Sequence, residues 1–175
     1  MQKLKIGQFL IKKTITNPKD LVSKPNLYIT SFEDNYNEFI SHIKNNYDSY
    51  IKDGILTLDG GITMNYYHQE VWGIEYWDDL PTLWSYIVNV VEDYLVEGEG
   101  VCYFPSQPIE IRLFKTQGNK AQFSIDNNSF ETEKGIFLTT LLNKAELFFS
   151  TLIKELNLSK YQYEINQIKK IRLMF

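Results

Sequence analysis

The chain has 175 residues, a formal net charge of −4, 43% hydrophobic residues and 15% aromatic residues, which is typical of a globular protein and excludes a disordered one. Its pI near 5.3 opposes the phosphate contacts that dominate nucleic-acid binding, so we expect no nucleic-acid partner. The single cysteine, Cys102, excludes an internal disulfide and is typical of a reducing compartment.

The sequence contains no run of roughly 18 or more apolar residues, the length that predicts a membrane span. The N-terminal stretch MQKLKIGQFLIKK is not followed by a small-residue cleavage site, so it lacks the pattern of a signal peptide. We therefore expect a cytoplasmic protein that does not bind membranes.

Apolar periodicity predicts the elements of the first third of the chain. These are a strand near residues 3–15, a loop, a short strand at NLYIT (26–30), and a helix over 32–52. Ser31 and Asp34 resemble a capping box at the start of that helix, and Gly54 is its predicted stop.

Two short apolar segments, ILTL (55–58) and ITMNYY (62–67), flank the sequence Asp59-Gly60-Gly61. We predict a hairpin with its tight turn at these glycines, because glycine readily adopts the positive φ angles that such turns require. The stretch EVWGIEYW (70–77) is predicted to continue as a strand.

The second half combines helical and alternating patterns. Asp78 or Asp79 is a predicted N-cap, and Pro81 fits only the first turn of a helix. The predicted elements are a helix from about 80 to 96, a strand at VCYF (101–104), a hairpin of IEIRLF (109–114) and AQFSID (121–126) about Gly118-Asn119, and helices over 135–157 and 161–172.

Strands and helices alternate too irregularly for a parallel βαβ sheet. The predicted fold is therefore α+β, with an antiparallel sheet of about five to seven strands covered by three to four helices. We find neither an internal repeat nor a Gly/Ser linker, so a single domain over 1–175 is predicted.

Charge is unevenly distributed along the chain. No lysine or arginine lies between Lys52 and Arg112, a segment with eleven carboxylates, whereas the rest has 18 basic and 11 acidic residues. Such asymmetry favours a basic partner. We expect the segment to fold into a contiguous negative patch.

The stretch YYHQEVWGIEYWDDLPTLW (66–84) contains all three tryptophans of the chain. Trp84 falls on the apolar stripe of a predicted helix and is expected in the core. Trp72 and Trp77 point to opposite faces of a regular strand, so at least one faces away from the core unless both faces are covered or a bulge at Gly73 intervenes.

Aromatic anchors with nearby carboxylates are typical of a docking surface. The predicted binding face consists of Glu70, Trp72, Glu75, Trp77 and Asp78.

Catalytic and ligand-binding motifs are sparse. Nucleophilic catalysis would depend on His42 or His68, and no G-x-S-x-G elbow, HExxH, CxxC, EF-hand loop or phosphate-binding glycine motif occurs. We therefore predict no cofactor, no metal site and no catalytic residue. Two alternatives remain: a small enzyme that uses His68 with Glu70 or Glu75, and a self-associating structural subunit, a homodimer for example, with the aromatic stretch as its contact.

The ordered segments WDDLPTLWSYIVNVVEDYLVEG, YFPSQPIEIRLFK and GIFLTTLLNKAELFFSTL resemble a pattern in small bacterial proteins without an assigned activity, over roughly residues 72–155. The resemblance implies a Trp-bearing helix, an FPxQP bend, a hairpin and a Phe-Phe helix. It implies an architectural role for Trp77, Trp84, Phe104, Pro105, Gln107, Pro108, Phe148 and Phe149.

In size and acidity, the chain also resembles bacterial immunity proteins that neutralise toxins, which implies a protein partner with a basic surface. The leading hypothesis from the sequence is a non-enzymatic protein-binding module of this kind.

Overall fold

A computed structural model describes residues 4–175. These residues form seven α-helices and eleven strands, and every strand pair is antiparallel, so the predicted α+β class is confirmed. The chain divides into two compact units, the first ending at Thr82 and the second spanning Leu83–Phe175. The single domain over 1–175 stays a prediction.

Unit 1 is built on a five-stranded sheet in which the order β2-β1-β5-β6 is extended by β7, which also pairs with β5. The strands β3 and β4 form a separate small hairpin. The elements of unit 1 are β1 (Leu4–Ile11), α1 (Pro18–Ser23), α2 (Pro25–Tyr28), β2 (Ile29–Ser31), α3 (Tyr36–Asn45), α4 (Tyr47–Tyr50), β3 (Ile51–Lys52), β4 (Ile55–Leu56), β5 (Asp59–Tyr66), β6 (Gln69–Trp72) and β7 (Trp77–Asp79).

The predicted turn at Gly60 and Gly61 is wrong, because β5 runs through both glycines. A Cβ on Gly61 would lie 2.8 Å from the Cζ atom of Phe9 and 2.9 Å from the carbonyl oxygen of Tyr76. These glycines therefore allow close approach of neighbouring chain segments. The positive φ angles occur instead at Asp53 and Gly54, in the turn between β3 and β4.

The region from 16 to 50 is more helical and more divided than predicted. The predicted strand at 26–30 is wrong in its first part, because α2 occupies Pro25–Tyr28 and the strand begins at Ile29. The predicted helix over 32–52 is replaced by α3 and α4. Ser31 ends β2, and its hydroxyl accepts a hydrogen bond from the Asp34 amide at 3.2 Å, so the capping-box residues form a turn before α3. The start of the predicted strand 3–15, residue 3, lies outside the described residues.

Unit 2 combines long helices with a four-stranded sheet of order β11-β10-β9-β8. The predicted hairpin about Gly118 and the last two predicted helices are confirmed, while β11 was not predicted. The elements are α5 (Leu80–Glu97), whose first residues belong to unit 1, β8 (Glu99–Tyr103), β9 (Glu110–Lys115), β10 (Lys120–Ile125), β11 (Asn128–Glu133), α6 (Lys134–Leu156), a 3-10 turn (Ser159–Tyr161) and α7 (Gln162–Arg172).

Helix α6 is the core helix of unit 2. Its Phe137 ring lies 5.3 Å from that of Phe123 on β10 and 5.7 Å from that of Phe130 on β11. By length and composition α6 could cross a membrane, but half of its most apolar window is buried, which is also typical of a core helix. The motif residues Trp84, Phe104, Phe148 and Phe149 are all buried.

Candidate functional site

Two residues of the predicted binding face are buried. Trp72 is 0% exposed, and its Nε1 atom donates a hydrogen bond to the carbonyl oxygen of Tyr76 at 3.2 Å. Asp78 is 5% exposed, and its Oδ1 atom accepts a hydrogen bond from the Asp79 amide at 2.7 Å. Both residues are therefore removed from the predicted face. The strand alternation from which Trp72 and Trp77 were predicted to face opposite sides is interrupted, because the extended segment breaks after Trp72 and resumes at Trp77.

The carboxylates of Glu70 and Glu75 converge beside Gly73. A Cβ on Gly73 would lie 2.8 Å from Oε1 of Glu70 and closer still to Oε2 of Glu75, so these two oxygens lie within about 6 Å of each other. Both side chains are exposed, and neither makes a hydrogen bond or an ion pair within residues 4–175. Two unneutralised negative charges therefore share one small area of unit 1.

The β5–β6 turn presents an exposed aromatic ring. Tyr66 pairs with Gln69, so Tyr67 and His68 form a two-residue turn, with Tyr67 at a φ of 55°. The Tyr67 side chain is 51% exposed and packs edge-on against the Tyr66 ring, with the ring centroids 4.8 Å apart. We name the exposed set Tyr67, His68, Gln69, Glu70 and Glu75 the hairpin face.

Trp77 lies on β7, two residues beyond Glu75. It pairs with Gly61 on β5, five residues before Tyr66, which places it about 17 Å along that strand from the turn that holds Tyr67 and His68. Its half-buried side chain lines a cavity of about 330 Å³ together with Tyr50 and Asp59. Because Trp72 and Asp78 are buried, the five predicted residues do not form one exposed surface, and the structure brings the Glu70 and Glu75 carboxylates together.

Asp79 has an architectural role at the start of α5. Its Oδ1 atom accepts a hydrogen bond from the Leu58 amide at 2.8 Å, and its Oδ2 atom accepts one from the Thr82 hydroxyl. Asp79 is the last residue of β7 and directly precedes α5, so its carboxylate ties the chain before β5 to the first turn of this helix. Its role as the N-cap stays a prediction. Partial burial, together with the charges of Asp79 and Asp78, raises the pKa of Asp59.

A histidine–tyrosine pair joins α3 to the end of α4. The Nε2 atom of His42 and the Tyr50 hydroxyl are hydrogen-bonded at 2.8 Å. Burial lowers the pKa of His42, whereas burial and the charge of Asp59 raise the pKa of Tyr50. The sequence did not predict this pair. His42 and Tyr50 are eight residues apart, and they come into contact because the chain breaks between α3 and α4.

A polar cavity of about 620 Å³ lies beside β1 and β2 in unit 1. The carboxylate of Glu38 is its most heavily bonded group: Oε1 accepts from Lys12 Nζ at 2.8 Å, and Oε2 accepts from the Thr30 hydroxyl and from Asn35 Nδ2, each at 2.9 Å. Hydrogen bonds from Lys12 and then from Thr30 lower the pKa of Glu38. No sequence motif connects these residues, which come from the position after β1, from β2, and from the start of α3 and the residue before it.

The carboxylates of the cation-free segment are partly neutralised in unit 2, and the expected contiguous negative patch stays a prediction. In unit 2, Glu92 binds Lys170 at 2.9 Å, and Glu99 binds Arg112. The antiparallel β8–β9 pairing places Arg112 beside Glu99, and a basic residue of α7 lies against Glu92. The partly neutralised second half of the segment therefore differs from the hairpin face.

His68 occupies the exposed second position of the β5–β6 turn. Its cooperation with Glu70 or Glu75 in an enzyme, and self-association through the aromatic stretch, stay predictions. Within residues 4–175, no group of three or more His, Cys, Asp or Glu side chains is arranged to hold a metal ion.

The fold and its exposed features define an α+β protein with two larger antiparallel sheets, the small β3–β4 hairpin, and acidic and aromatic side chains exposed at the β5–β6 hairpin. Comparison with known proteins adds no narrower class: no family model, curated protein or solved structure matches the chain.

Proposed function

We propose that the chain is a non-enzymatic protein-binding module whose hairpin face docks a basic protein surface, and that it acts in the cytoplasm as a toxin-neutralising immunity protein. The observation that supports this proposal is the convergence of the Glu70 and Glu75 carboxylates, exposed and without an ion pair within residues 4–175.

A basic side chain of a partner fits this arrangement. An arginine or lysine between Glu70 and Glu75 forms charge-assisted hydrogen bonds with both carboxylates and removes their mutual repulsion. Tyr67 supplies an exposed ring on the same hairpin as Glu70, and tyrosine is among the residues that most often dominate binding energy. The hairpin face therefore has the composition of an interface anchor.

The hairpin face alone is too small for a complete interface. Stable complexes bury about 800 Å² on each partner, spread over roughly 20–30 residues. The five residues thus act as the energetic centre of a larger contact. In the immunity form of the proposal, the two carboxylates occupy the place of an anionic substrate on the toxin and block its access.

The test is calorimetric binding of the toxin encoded in the neighbouring reading frame, at several salt concentrations. Steered association between opposite charges weakens as salt rises. The double variant Glu70→Gln/Glu75→Gln is expected to bind at least tenfold more weakly. Asp48→Asn/Asp53→Asn removes the same charge from two other exposed positions and is expected to bind within about twofold of the parent protein.

Two outcomes would contradict the proposal. One is an affinity that is independent of salt and of the Glu70 and Glu75 substitutions. The other is the absence of a toxin gene beside this one, which would count against the immunity role while leaving the docking role to be tested with other basic proteins.

A further inference from the structure

The polar cavity of unit 1 has the size and the lining of a small-molecule site. Its volume of about 620 Å³ is within the range of roughly 300–1,000 Å³ that is usual for ligand pockets. The wall includes the side chain of Gln8, 1% exposed, and the hydroxyl-bearing Thr30, 2% exposed. The wall of the cavity therefore includes polar side chains that are largely shielded from solvent.

One part of the lining is already fixed by internal bonds. Glu38 receives hydrogen bonds from Lys12, Thr30 and Asn35, which hold the ends of β1 and β2 and the start of α3 in one arrangement. The Lys12 ammonium and the Asn35 amide retain further hydrogen-bonding capacity. A ligand would therefore meet a preorganised set of groups and would not have to order them.

Another part of the lining is not engaged. The Thr63 hydroxyl and the Asn26 amide line the cavity, and neither side chain makes a hydrogen bond within the described part of the chain. Together they offer a hydroxyl, which both donates and accepts, and an amide with separate donor and acceptor atoms. These groups are available to a bound molecule.

The charges around the cavity disfavour an anionic ligand. The lining contains one ammonium group, that of Lys12, and two carboxylates, those of Asp34 and Glu38. Lys12 is bound to Glu38, and the Asp34 carboxylate accepts a hydrogen bond from the Ser31 hydroxyl at 3.0 Å. The one cation of the lining is therefore already paired with a carboxylate, which disfavours binding of a phosphate or a carboxylate.

The same lining has both donors and acceptors, together with apolar walls from Phe9, Ile29 and Ile74. A hydroxyl group of a ligand can donate to one protein group and accept from another, and the carbon–hydrogen faces of a sugar ring can cover apolar walls. We infer that this cavity binds a neutral polyhydroxylated small molecule of the sugar or sugar-alcohol class. This inference is independent of the proposed docking function, because none of the hairpin face residues lines the cavity.

The test uses a set of sugars that share one ring and differ in charge: glucose, glucosamine, glucuronate and glucose 6-phosphate, extended by mannose, galactose, N-acetylglucosamine and maltose. Binding is measured from amide shifts in ¹H–¹⁵N NMR spectra up to about 20 mM, which saturates a site with a dissociation constant near 1 mM. We expect at least one neutral sugar to shift amides of β1, β2 and the start of α3. We expect the anionic members to bind at least tenfold more weakly.

Two substitutions in one short helix separate binding from folding. Asn26→Phe places a large ring at an exposed position that lines the cavity, and is expected to lower the affinity at least tenfold. Leu27→Phe adds a ring at the adjacent exposed position, which does not line the cavity, and is expected to leave the affinity unchanged. Thr63→Val keeps the β-branched shape and removes the hydroxyl, and is expected to weaken binding by about fivefold.

The inference is overturned if no neutral sugar of the set shifts these amides. It is also overturned if the anionic sugars bind best, if glucosamine alone binds, or if Asn26→Phe binds as tightly as Leu27→Phe. Thermal unfolding of each variant checks that it is folded, and toxin binding by the same variants keeps the result separate from the docking proposal.

Discussion

Asp59 lies directly opposite Asp79 in the antiparallel pair of β5 and β7, so two carboxylates of like charge face each other on neighbouring strands. Asp79 is held by the Leu58 amide and the Thr82 hydroxyl, which fix its carboxylate at the start of α5. The strand pairing therefore includes an unfavourable cross-strand contact, and the two hydrogen bonds to Asp79 help to offset it.

Asp59→Asn is expected to stabilise the protein by about 0.5 kcal/mol at neutral pH, because it removes a like-charge pair between adjacent strands. The pKa of Asp59 is raised in the folded state, so the folded protein holds this proton more tightly than the unfolded chain. The stabilising contribution of the proton is present below the unfolded pKa of 3.8 and is lost as pH rises through the folded pKa. The gain from Asp59→Asn is therefore largest at neutral pH and disappears in acid.

Urea unfolding as a function of pH measures this effect. Asp53→Asn removes an exposed carboxylate from the β3–β4 turn and keeps a residue type that tolerates the positive φ there, so it is the control. Equal changes in the free energy of unfolding for the two variants at neutral pH would contradict the cross-strand repulsion.

Glu38→Gln is expected to lower the free energy of unfolding at neutral pH by about 1 kcal/mol, because the ion pair with Lys12 is lost and the bond from Thr30 is weakened. The pKa of Glu38 is lowered in the folded state, so its contribution is present above the unfolded value of 4.5 and is lost as pH falls through the folded pKa. Parent and variant should therefore converge in acid.

The control for Glu38→Gln is Asp48→Asn, an exposed carboxylate in the first turn of α4. It is expected to change the free energy of unfolding by less than about 0.5 kcal/mol. A loss in Glu38→Gln that persists unchanged at low pH would show that its effect does not come from the charge.

His42 is expected to make the protein less stable as pH falls from neutral to mildly acidic values. Its pKa is lowered by burial, so its neutral form is favoured in the fold, and this contribution is present above the unfolded pKa of 6.5 and is lost as pH falls through the folded pKa. His42→Gln removes the titrating group and should flatten this part of the stability profile. The exposed His68 is the control, since His68→Gln should leave the dependence of the unfolding free energy on pH as it is in the parent protein. If both variants flattened that dependence equally, a specific role of His42 would be contradicted.

The sequence predicted the elements that depend on local pattern. The β9–β10 hairpin alternates apolar and polar residues about Gly118, which has a positive φ, and α6 has a wide apolar stripe. The conformation of the aromatic stretch 66–84 was harder to predict, because the strand alternation that links Trp72 to Trp77 does not continue through Gly73. The polar cavity depends on contacts between Lys12, Thr30 and Glu38, and no local rule brings three such residues together.

Two glycine substitutions test how the sheet of unit 1 is assembled. Gly61→Ala is expected to destabilise the protein by about 1–3 kcal/mol, because its Cβ would lie 2.8 Å from the Phe9 ring and 2.9 Å from the Tyr76 carbonyl oxygen. Gly135→Ala, in the first turn of α6, has no neighbouring atom within 4 Å and is expected to stabilise by about 0.5–1 kcal/mol, since alanine is the better helix former.

Thermal and urea unfolding of both variants distinguish close packing at Gly61 from a general preference for alanine over glycine. Opposite signs are expected. If Gly61→Ala were neutral or stabilising, β5 would not depend on the close approach of Phe9 and Tyr76 at this position. The presence of glycine at positions 60 and 61 would then be explained better by the tight turn that the sequence pattern predicts there.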